Sequence, residues 1–317
     1  MVNQASPPST VFKLRAEHHP AREIKRILLE QVDLAIWELS TPDLDADTAV
    51  HEARKCIKRT RGILRLVRNN IGKAHFQTLN ALFRDAGREL SAVRTSAVMA
   101  ETLLKLLEHY PDELSKAQVD QLIRRLQDYH RTMHQRILTQ KSLFRQVTRE
   151  MRAGRTKINA LSLSIESLPA SGLQRVYRRG RSGLKQSNAS PTVAHLHEWR
   201  KRVKYLRYQM RVLSPLWPEV LDDVTEELVT LSELLGLDHD LADLHHNLED
   251  NPDLCRRTEG PIAMFRLIDV YRTELEVQSF SIGARLYTEK PSAFVKRMSG
   301  YWETWQAENT KHRNHPS

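Results

Sequence analysis

The chain has 317 residues, 40% of them hydrophobic and 28% charged, with only 11 glycines. This composition is typical of a soluble globular protein and favours long helices over a many-turned β architecture. The two cysteines, Cys56 and Cys255, lie far apart without a ligand pattern, which argues against a disulfide framework and a zinc module. A net charge of +10 predicts an anionic partner.

Helical periodicity recurs between prolines and glycines along the chain, and no segment shows strand-like alternation. We therefore predict an all-α fold of about eight or nine long helices. The predicted helices span residues 18–40, 46–71, 74–109, 114–153, 158–187, 192–213, 217–250, 260–288 and 292–309. Residues 1–16 are predicted to be a disordered leader and residues 311–317 a disordered tail.

The N-terminal segment is polar and lacks the apolar stretch of a signal peptide. No apolar run approaches the length that spans a membrane. We therefore expect a cytoplasmic protein without a membrane partner. The oligomeric state does not follow from the sequence.

The same basic motif occurs once in each half of the chain. Residues 50–66 align without gaps on residues 196–212, and the His, Glu, Arg, Lys, Lys, Arg and Arg positions coincide. The motifs begin at His51 and His197, an offset near half the chain. This repetition predicts two equivalent helical bundles, residues 17–155 and 156–310.

The cations of each motif recur at steps of three and four residues, so they share one helix face. An apolar row lies one residue earlier, about 100° away, which places the cations on the wall of a cleft beside the buried seam. Arginine forks and lysine point charges both suit phosphate oxygens. The predicted anion-binding residues are His51, Arg54, Lys55, Lys58, Arg61 and Arg65, His197, Arg200, Lys201, Lys204, Arg207 and Arg211, and, from the segment before the second motif, Arg178 and Arg181.

The alternative interpretation is that such rows are ordinary solvated helix faces, neutralised by nearby carboxylates. Two features weigh against it. The row occurs twice in the same register, and twelve acids are concentrated between residues 212 and 255, where there is no Lys or Arg. The rest of the chain therefore carries a net charge of +22, which is not the mixed charge of an ordinary surface.

The two motifs resemble those of the CHAD family, the conserved histidine α-helical domain. Each is followed by a segment of the type Leu-Gly-x-x-Arg-Asp-Leu-Asp, represented here by residues 87–93 and 235–244. The first of these segments departs from the pattern, with Glu89 for Asp and Ala92 where the second has Asp243. The resemblance extends from about residue 18 to 309.

This resemblance implies two four-helix bundles related by a pseudo-twofold axis, which enclose a basic central groove or pore. It also implies binding of long-chain inorganic polyphosphate without catalysis and without a cofactor, and association with polyphosphate granules. We expect this chain to be a stand-alone member, because the Glu-x-Glu-x-Lys motif of a triphosphate-tunnel domain is absent.

Nucleic acid is the main rival partner, since a basic groove does not choose a polyanion by charge alone. The sequence places Trp199 in the apolar row and Tyr205 and Tyr208 off the basic face, which disfavours stacking of single-stranded bases. A metal-dependent polyphosphatase is a weaker alternative. His239, Asp243 and His246 share a helix face that could ligate a divalent ion, but we favour a role for Asp240 and Asp243 in orienting basic side chains, and predict no metal.

His51 and His197 are predicted to contact phosphate or to start helices. An adjacent phosphate would favour the charged imidazolium, so binding is expected to strengthen from pH 8 to pH 6, around the ordinary histidine pKa of about 6.5.

Overall fold

The computed structural model describes residues 7–41, 44–111, 113, 116–138, 141–251 and 261–314. All secondary structure in these ranges is helical, which confirms the predicted all-α class. A 3₁₀ turn occupies Ser214–Leu216. The α-helices are α1 (Pro20–Ser40), α2 (Ala46–Leu66), α3 (Lys73–Glu89), α4 (Ser91–His109), α5 (Lys116–Leu138), α6 (Lys141–Asn159), α7 (Ala170–Ala189), α8 (Val193–Leu213), α9 (Pro218–Asp250), α10 (Pro261–Leu286) and α11 (Pro291–Asn314).

The two helices that carry the basic motifs, α2 and α8, both begin at a side-chain cap. Asp45 Oδ2 accepts a hydrogen bond from the Thr48 amide at 2.9 Å at the start of α2. Thr192 Oγ1 accepts from the His195 amide at 3.2 Å at the start of α8. Such caps satisfy an amide that has no partner within the helix and typically stabilise it by about 1 kcal/mol.

The helices pack as two rings that share one core. In the first ring α1, α2, α3 and α6 each contact the next, and in the second α7, α8, α9 and α10 do the same, with α11 against α7. Direct packing of α2 against α8 joins the rings, and one buried cluster extends from Leu14 to Trp305. These contacts are compatible with two four-helix bundles, while the pseudo-twofold axis stays a prediction.

Helices α4 and α5 pack outside the first ring. Their buried residues form a second cluster with α9 and α10 of the other half of the chain. The cluster contains Met99, Leu103 and Leu106 of α4, Leu122 and Leu126 of α5, Leu241, Leu244 and Leu248 of α9, and Met264, Ile268 and Leu275 of α10. The predicted N-terminal half therefore contributes one helical pair to the surface of the C-terminal half.

Two predicted helices are each divided in the structure. Residues 74–109 form α3 and α4, which are separated at Leu90. Leu90 keeps a near-helical φ of −75° and is fully buried, so periodicity in the sequence does not reveal the interruption. Residues 114–153 likewise form α5 and most of α6.

The predicted helix 158–187 is wrong at its start, because α7 begins only at Ala170. Residues 161–168 are not helical, yet Leu161, Ile165 and Leu168 are buried in the main core. Their spacing of four and three residues imitates a helix. Pro169 precedes α7 and disfavours helical geometry in the residue before it.

The terminal segments are more ordered than predicted. Lys13 Nζ lies 3.0 Å from Asp222 Oδ1, and the amide of Leu14, itself buried, donates to the Val212 carbonyl at 3.1 Å. The predicted disorder is therefore wrong for residues 7–16, and residues 1–6 lie outside the described residues. At the other end α11 continues to Asn314, and the remaining predicted tail, 315–317, is likewise not described.

Candidate functional site

Helices α2 and α8 approach each other closely at Gly62. A Cβ atom at this position would lie 3.1 Å from Tyr208 Cβ, and Gln209 Nε2 donates to the Gly62 carbonyl at 3.1 Å. The apolar rows of both helices are buried as predicted, including Val203 and Ile57. The small residue at the crossing thus lets the two basic rows face a common space.

In each half of the chain, an arginine of the basic motif packs against the glycine segment that follows it, residues 87–93 or 235–244. Arg54 Nη1 donates to the Gly87 carbonyl at 2.8 Å and also to Ser91 Oγ. In the other half, a Cβ atom at Gly236 would lie 3.2 Å from Arg200 Nη2 and would press on the guanidinium. Arg54 and Arg200 occupy the same position of the repeat, so this packing gives a physical reason for the two motifs to occur together.

The common space is a cavity of about 650 Å³, which we call the basic cavity. Its cationic lining consists of Arg54, Lys58, Arg61 and Arg65 from α2, Arg84 and Arg88 from α3, and Arg200, Lys201, Arg202 and Lys204 from α8. Three carboxylates also line it, Glu198, Asp240 and Asp243. Within the described residues the cavity therefore has ten cations against three acids, before any histidine is counted.

Eight of the fourteen predicted site residues line the basic cavity: Arg54, Lys58, Arg61, Arg65, His197, Arg200, Lys201 and Lys204. They come from both basic rows, so these parts of α2 and α8 face one space. The contact of these residues with an anion stays a prediction.

The other six predicted residues do not line the cavity. Lys55 Nζ lies 2.7 Å from Glu52 Oε2, and the exposed His51 lies beside the same carboxylate. Arg211 Nη1 lies 3.5 Å from Asp222 Oδ1, so the row on α8 ends against the acids of α9.

The remaining three are Arg178, Arg181 and Arg207. Arg178 is exposed on α7, and Arg181 Nε donates to the Tyr287 carbonyl at 3.1 Å. The Arg207 guanidinium covers the ring of Tyr208, with Cζ 4.9 Å from the ring centroid. These three arginines therefore lie outside the basic cavity.

Three cations of the basic cavity were not predicted, Arg84, Arg88 and Arg202. Arg84 and Arg88 lie one turn apart on α3, where both contact Asp85, at 2.8 and 3.7 Å. Their spacing was a signal for a shared helix face, but the orientation of that face toward α2 depends on tertiary packing. Arg202 lies off the repeated row and pairs with Glu198 at 2.9 Å.

The prediction that Tyr205 and Tyr208 lie off the basic face is wrong, because both line the cavity. Their side chains are nonetheless buried, at 8% and 5% exposure. The Arg65 guanidinium covers Tyr205, with Cζ 3.9 Å from the ring centroid, and Arg207 covers Tyr208. Arginine side chains therefore cover these tyrosine rings, so the ring faces are not open to the cavity.

The cations of the basic cavity repel one another and are partly removed from water. Burial lowers the pKa of Arg65 to about 10, and Arg61 adds repulsion. Burial also lowers the pKa of Lys204 well below its ordinary value of 10.5, with further repulsion from Arg200 and Lys58. A bound anion would reverse these effects, because opposite charge favours the protonated forms.

Two histidines form a pair at the wall of the cavity, His197 of α8 and His239 of α9, with ring centroids 4.2 Å apart. Burial and the neighbouring cations, among them Arg200 and Lys201, lower the pKa of His197 to about 4 and of His239 to about 3. The Nδ1 atoms of both rings are buried and have no hydrogen-bond partner among the described residues. In the free protein His197 is therefore neutral near pH 6.5, and the expected strengthening of binding from pH 8 to pH 6 stays a prediction.

The metal alternative has little geometric support. Among the described residues, no group of three or more His, Cys, Asp and Glu side chains is arranged to hold a metal ion. Of His239, Asp243 and His246, the first two lie close together, with His239 Nε2 3.5 Å from Asp243 Oδ2, while His246 pairs with Asp250 at 3.2 Å instead.

In the described part of the chain, no helix combines the length and the apolarity needed to cross a membrane.

Comparison with known proteins identifies the fold and the family. PptA from Streptomyces chartreusis superposes with a TM-score of 0.53 at 12% identity, covering 84% of this chain and 96% of that one. The CHAD domain from the plant Ricinus communis superposes with a TM-score of 0.52 at 17% identity, covering 89% of this chain and 96% of that one. At such identities the likeness shows a shared helical fold.

The family follows from the sequence. The model of the CHAD domain family matches residues 29–249, which is more than half of the chain and includes both basic motifs. The chain therefore belongs to the CHAD domain family, as the motifs predicted. No curated protein matches the chain.

Proposed function

We propose that this protein binds long-chain inorganic polyphosphate in the basic cavity and does so without catalysis. The main support for the proposal is that ten cationic side chains and only three carboxylates line one cavity among the described residues. The CHAD family motifs support the same partner. A polyphosphate chain offers one negative charge at each successive phosphate, which suits cations repeated along the helices.

The cavity is electrostatically prepared for such a chain. Arg54 is already held by the Gly87 carbonyl and Arg65 by the Tyr205 ring, so these two side chains lose little entropy on binding. Burial and repulsion lower the pKa values of Arg65 and Lys204, and a bound polyanion would favour the protonated forms of both side chains. Hydrogen bonds between charged groups typically contribute about 1.5–3 kcal/mol each, more than neutral ones.

Single-stranded nucleic acid is the alternative partner. Base stacking on exposed aromatic rings is a main source of affinity for single strands. The tyrosines of the cavity are instead covered by Arg65 and Arg207, which favours an anion without bases. A metal-dependent polyphosphatase would need carboxylates that hold metal beside the phosphates, and Asp240 and Asp243 do not form such a group with a third ligand among the described residues.

Competition between the two polyanions tests the proposal. Labelled long-chain polyphosphate is bound first and displaced with single-stranded RNA, at near-physiological salt because such affinities depend on salt. We expect RNA to need roughly a tenfold or greater excess of phosphate, equivalent to about 1.4 kcal/mol, to displace half of the label. Displacement by an equal or smaller amount of RNA would contradict the proposal.

The non-catalytic part is tested separately. Polyphosphate is incubated with the protein, with and without Mg²⁺, and its chain length is followed by gel electrophoresis. An unchanged length is expected, and protein-dependent shortening would contradict this part. If the binding result holds, we further propose that fluorescently tagged protein gathers at polyphosphate granules in cells that contain them.

A further inference from the structure

Lys204 has surroundings unlike those of the lysine one turn before it. It lines the basic cavity and has neither a hydrogen bond nor an ion pair to any described residue. Lys201, by contrast, pairs with Glu198 and is 43% exposed. The two lysines share a helix and a cavity, so they differ mainly in burial and in charge compensation.

The charges around Lys204 are mostly positive. Arg200 and Arg207 of its own helix and Lys58 of α2 repel its ammonium group, and Asp240 of α9 is the one carboxylate that acts in the opposite direction among its main neighbours. Burial is the larger cause that disfavours the ammonium form and lowers the pKa of Lys204. In the free cavity the side chain is therefore an amine with a much larger neutral fraction than an ordinary lysine has.

A neutral lysine amine is a nucleophile, and burial is a usual way of making one. The cations around it would also attract any small anion that enters the cavity. An anionic electrophile is therefore brought to the nucleophile by the residues that keep the amine neutral. Acyl phosphates combine both properties, since they carry a phosphate group and an activated carbonyl carbon.

We infer that Lys204 is a site of covalent acylation by small acyl phosphates that bind in the basic cavity. The neutral Nζ attacks the carbonyl carbon, the bond between that carbon and the phosphate oxygen breaks, and inorganic phosphate leaves. The nitrogen loses one proton to water, and the product is an uncharged amide. No oxidant, reductant or metal is needed.

Acylation would regulate the proposed function. It prevents this side chain from becoming an ammonium group when polyphosphate binds and adds bulk inside a cavity of about 650 Å³, so polyphosphate should bind more weakly afterwards. The inference rests on the proposed function, because the same cations would hold the phosphate of the acyl donor. Bound polyphosphate should in turn protect Lys204, since it occupies the cavity and favours the ammonium form.

The test measures acetylation of individual lysines by peptide mass spectrometry at pH 7.5. Full-length protein is treated with acetyl phosphate or, in parallel, with p-nitrophenyl acetate, a neutral donor. Each downward shift of one pKa unit increases the neutral fraction of an amine about tenfold. We expect Lys204 to react at least about tenfold faster than Lys201 with acetyl phosphate, with a smaller ratio for the neutral donor and suppression by polyphosphate.

Two variants complete the test. Lys204→Arg keeps a positive charge and removes the nucleophilic amine, so treatment with acetyl phosphate should lower its polyphosphate affinity less than it lowers that of the wild type. Lys204→Gln imitates the amide and should weaken polyphosphate binding about tenfold, with unchanged helicity by circular dichroism. Equal rates at Lys204 and Lys201 would overturn the inference, and so would an equal rate ratio with both donors, because phosphate capture would then be absent.

Calorimetric titration of unmodified protein with polyphosphate separates the two proposals. If polyphosphate binds and Lys204 shows no preference, only the acylation inference fails. If Lys204 reacts preferentially and polyphosphate does not bind, the proposed function fails while the amine chemistry stands.

Discussion

Arg65 and Tyr205 join the two basic helices across the cavity. The Arg65 guanidinium carbon lies 3.9 Å from the centroid of the Tyr205 ring, and Arg65 Nη1 donates to the Arg61 carbonyl at 2.7 Å. Burial lowers the pKa of Arg65 to about 10. A cation that is costly to bury is therefore held in place by a ring of the opposite helix rather than by a carboxylate.

This contact predicts the behaviour of substitutions at Tyr205. Tyr205→Leu removes the ring, and a desolvated cation–π contact contributes about 2 kcal/mol, so Arg65 should lose its fixed position and polyphosphate affinity should fall by about tenfold. Tyr205→Phe keeps the ring and should stay within about twofold of the wild type. Calorimetric titration measures both, and equal losses in the two variants would show that the ring face is not what matters.

The close approach at Gly62 predicts opposite effects of one substitution at two glycines. Gly62→Ala places its Cβ 3.1 Å from Tyr208 Cβ, and overpacking of this kind costs about 1–3 kcal/mol. In α11 a Cβ at Gly300 meets nothing within 4 Å, so Gly300→Ala should stabilise the protein by about 0.5–1 kcal/mol through helix propensity. Denaturant unfolding should show a net loss of roughly 1 kcal/mol for Gly62→Ala. A gain at both positions would contradict the tight crossing.

The His197–His239 pair predicts a pH dependence of binding. In the free protein the pKa values are about 4 and about 3, so both rings are neutral at pH 7. A phosphate chain beside them raises both values, and binding then takes up protons wherever the pH lies between the free and the bound pKa. Affinity should therefore increase as the pH falls from 7.5 to 5, by up to about tenfold per unit for each ring.

The control for this prediction is the double variant His197→Asn with His239→Asn, which cannot take up these protons. Its affinity should change less over the same range, and parallel curves for variant and wild type would rule the pair out. The same shifts affect stability without ligand. Because the pKa of His197 in the folded protein is below the ordinary 6.5, its contribution to the free energy of unfolding is full above pH 6.5 and is lost as the pH falls toward 4.

Arg84 and Arg88 of α3 line the cavity but were not predicted, whereas Arg178 and Arg181 of α7 were predicted but lie outside it. Substitutions of the two pairs test which pair matters more for binding. Arg84→Ala with Arg88→Ala removes one partly exposed and one exposed cavity cation, and should weaken polyphosphate binding by roughly three- to tenfold and reduce its salt dependence. Arg178→Ala with Arg181→Ala removes two cations outside the cavity and should have a smaller effect. The reverse order of these losses would favour the predicted residues of α7 over the observed ones.

The sequence predicts the centre of the site well because helical spacing alone fixes it. Once residues 50–66 form a helix with a buried apolar row, Arg54, Lys58 and Arg61 must flank that row, and the repeat places Arg200 and Lys204 in the same way. The all-α class follows from the same periodicity.

Which residues lie at the margin of the cavity depends on tertiary packing, and helical periodicity in the sequence does not predict that packing. Arg211 continues the row on α8 but meets Asp222 of α9, and Arg84 enters the cavity only because α3 packs against α2. The interruption between α3 and α4 at Leu90 leaves φ near its helical value, and so the sequence pattern gives no signal of it.

The charge of the basic cavity is tested most directly by calorimetric titration of long-chain polyphosphate into the double variant Lys58→Glu with Lys204→Glu. The matched control is Lys55→Glu with Arg211→Glu, which makes the same change of charge on the same two helices outside the cavity. Two lost charged hydrogen bonds correspond to at least about 3 kcal/mol, so we predict that the cavity variant binds at least a hundredfold more weakly while the control stays within about tenfold of wild type. Equal losses in the two variants would contradict a defined cavity and indicate attraction by diffuse charge.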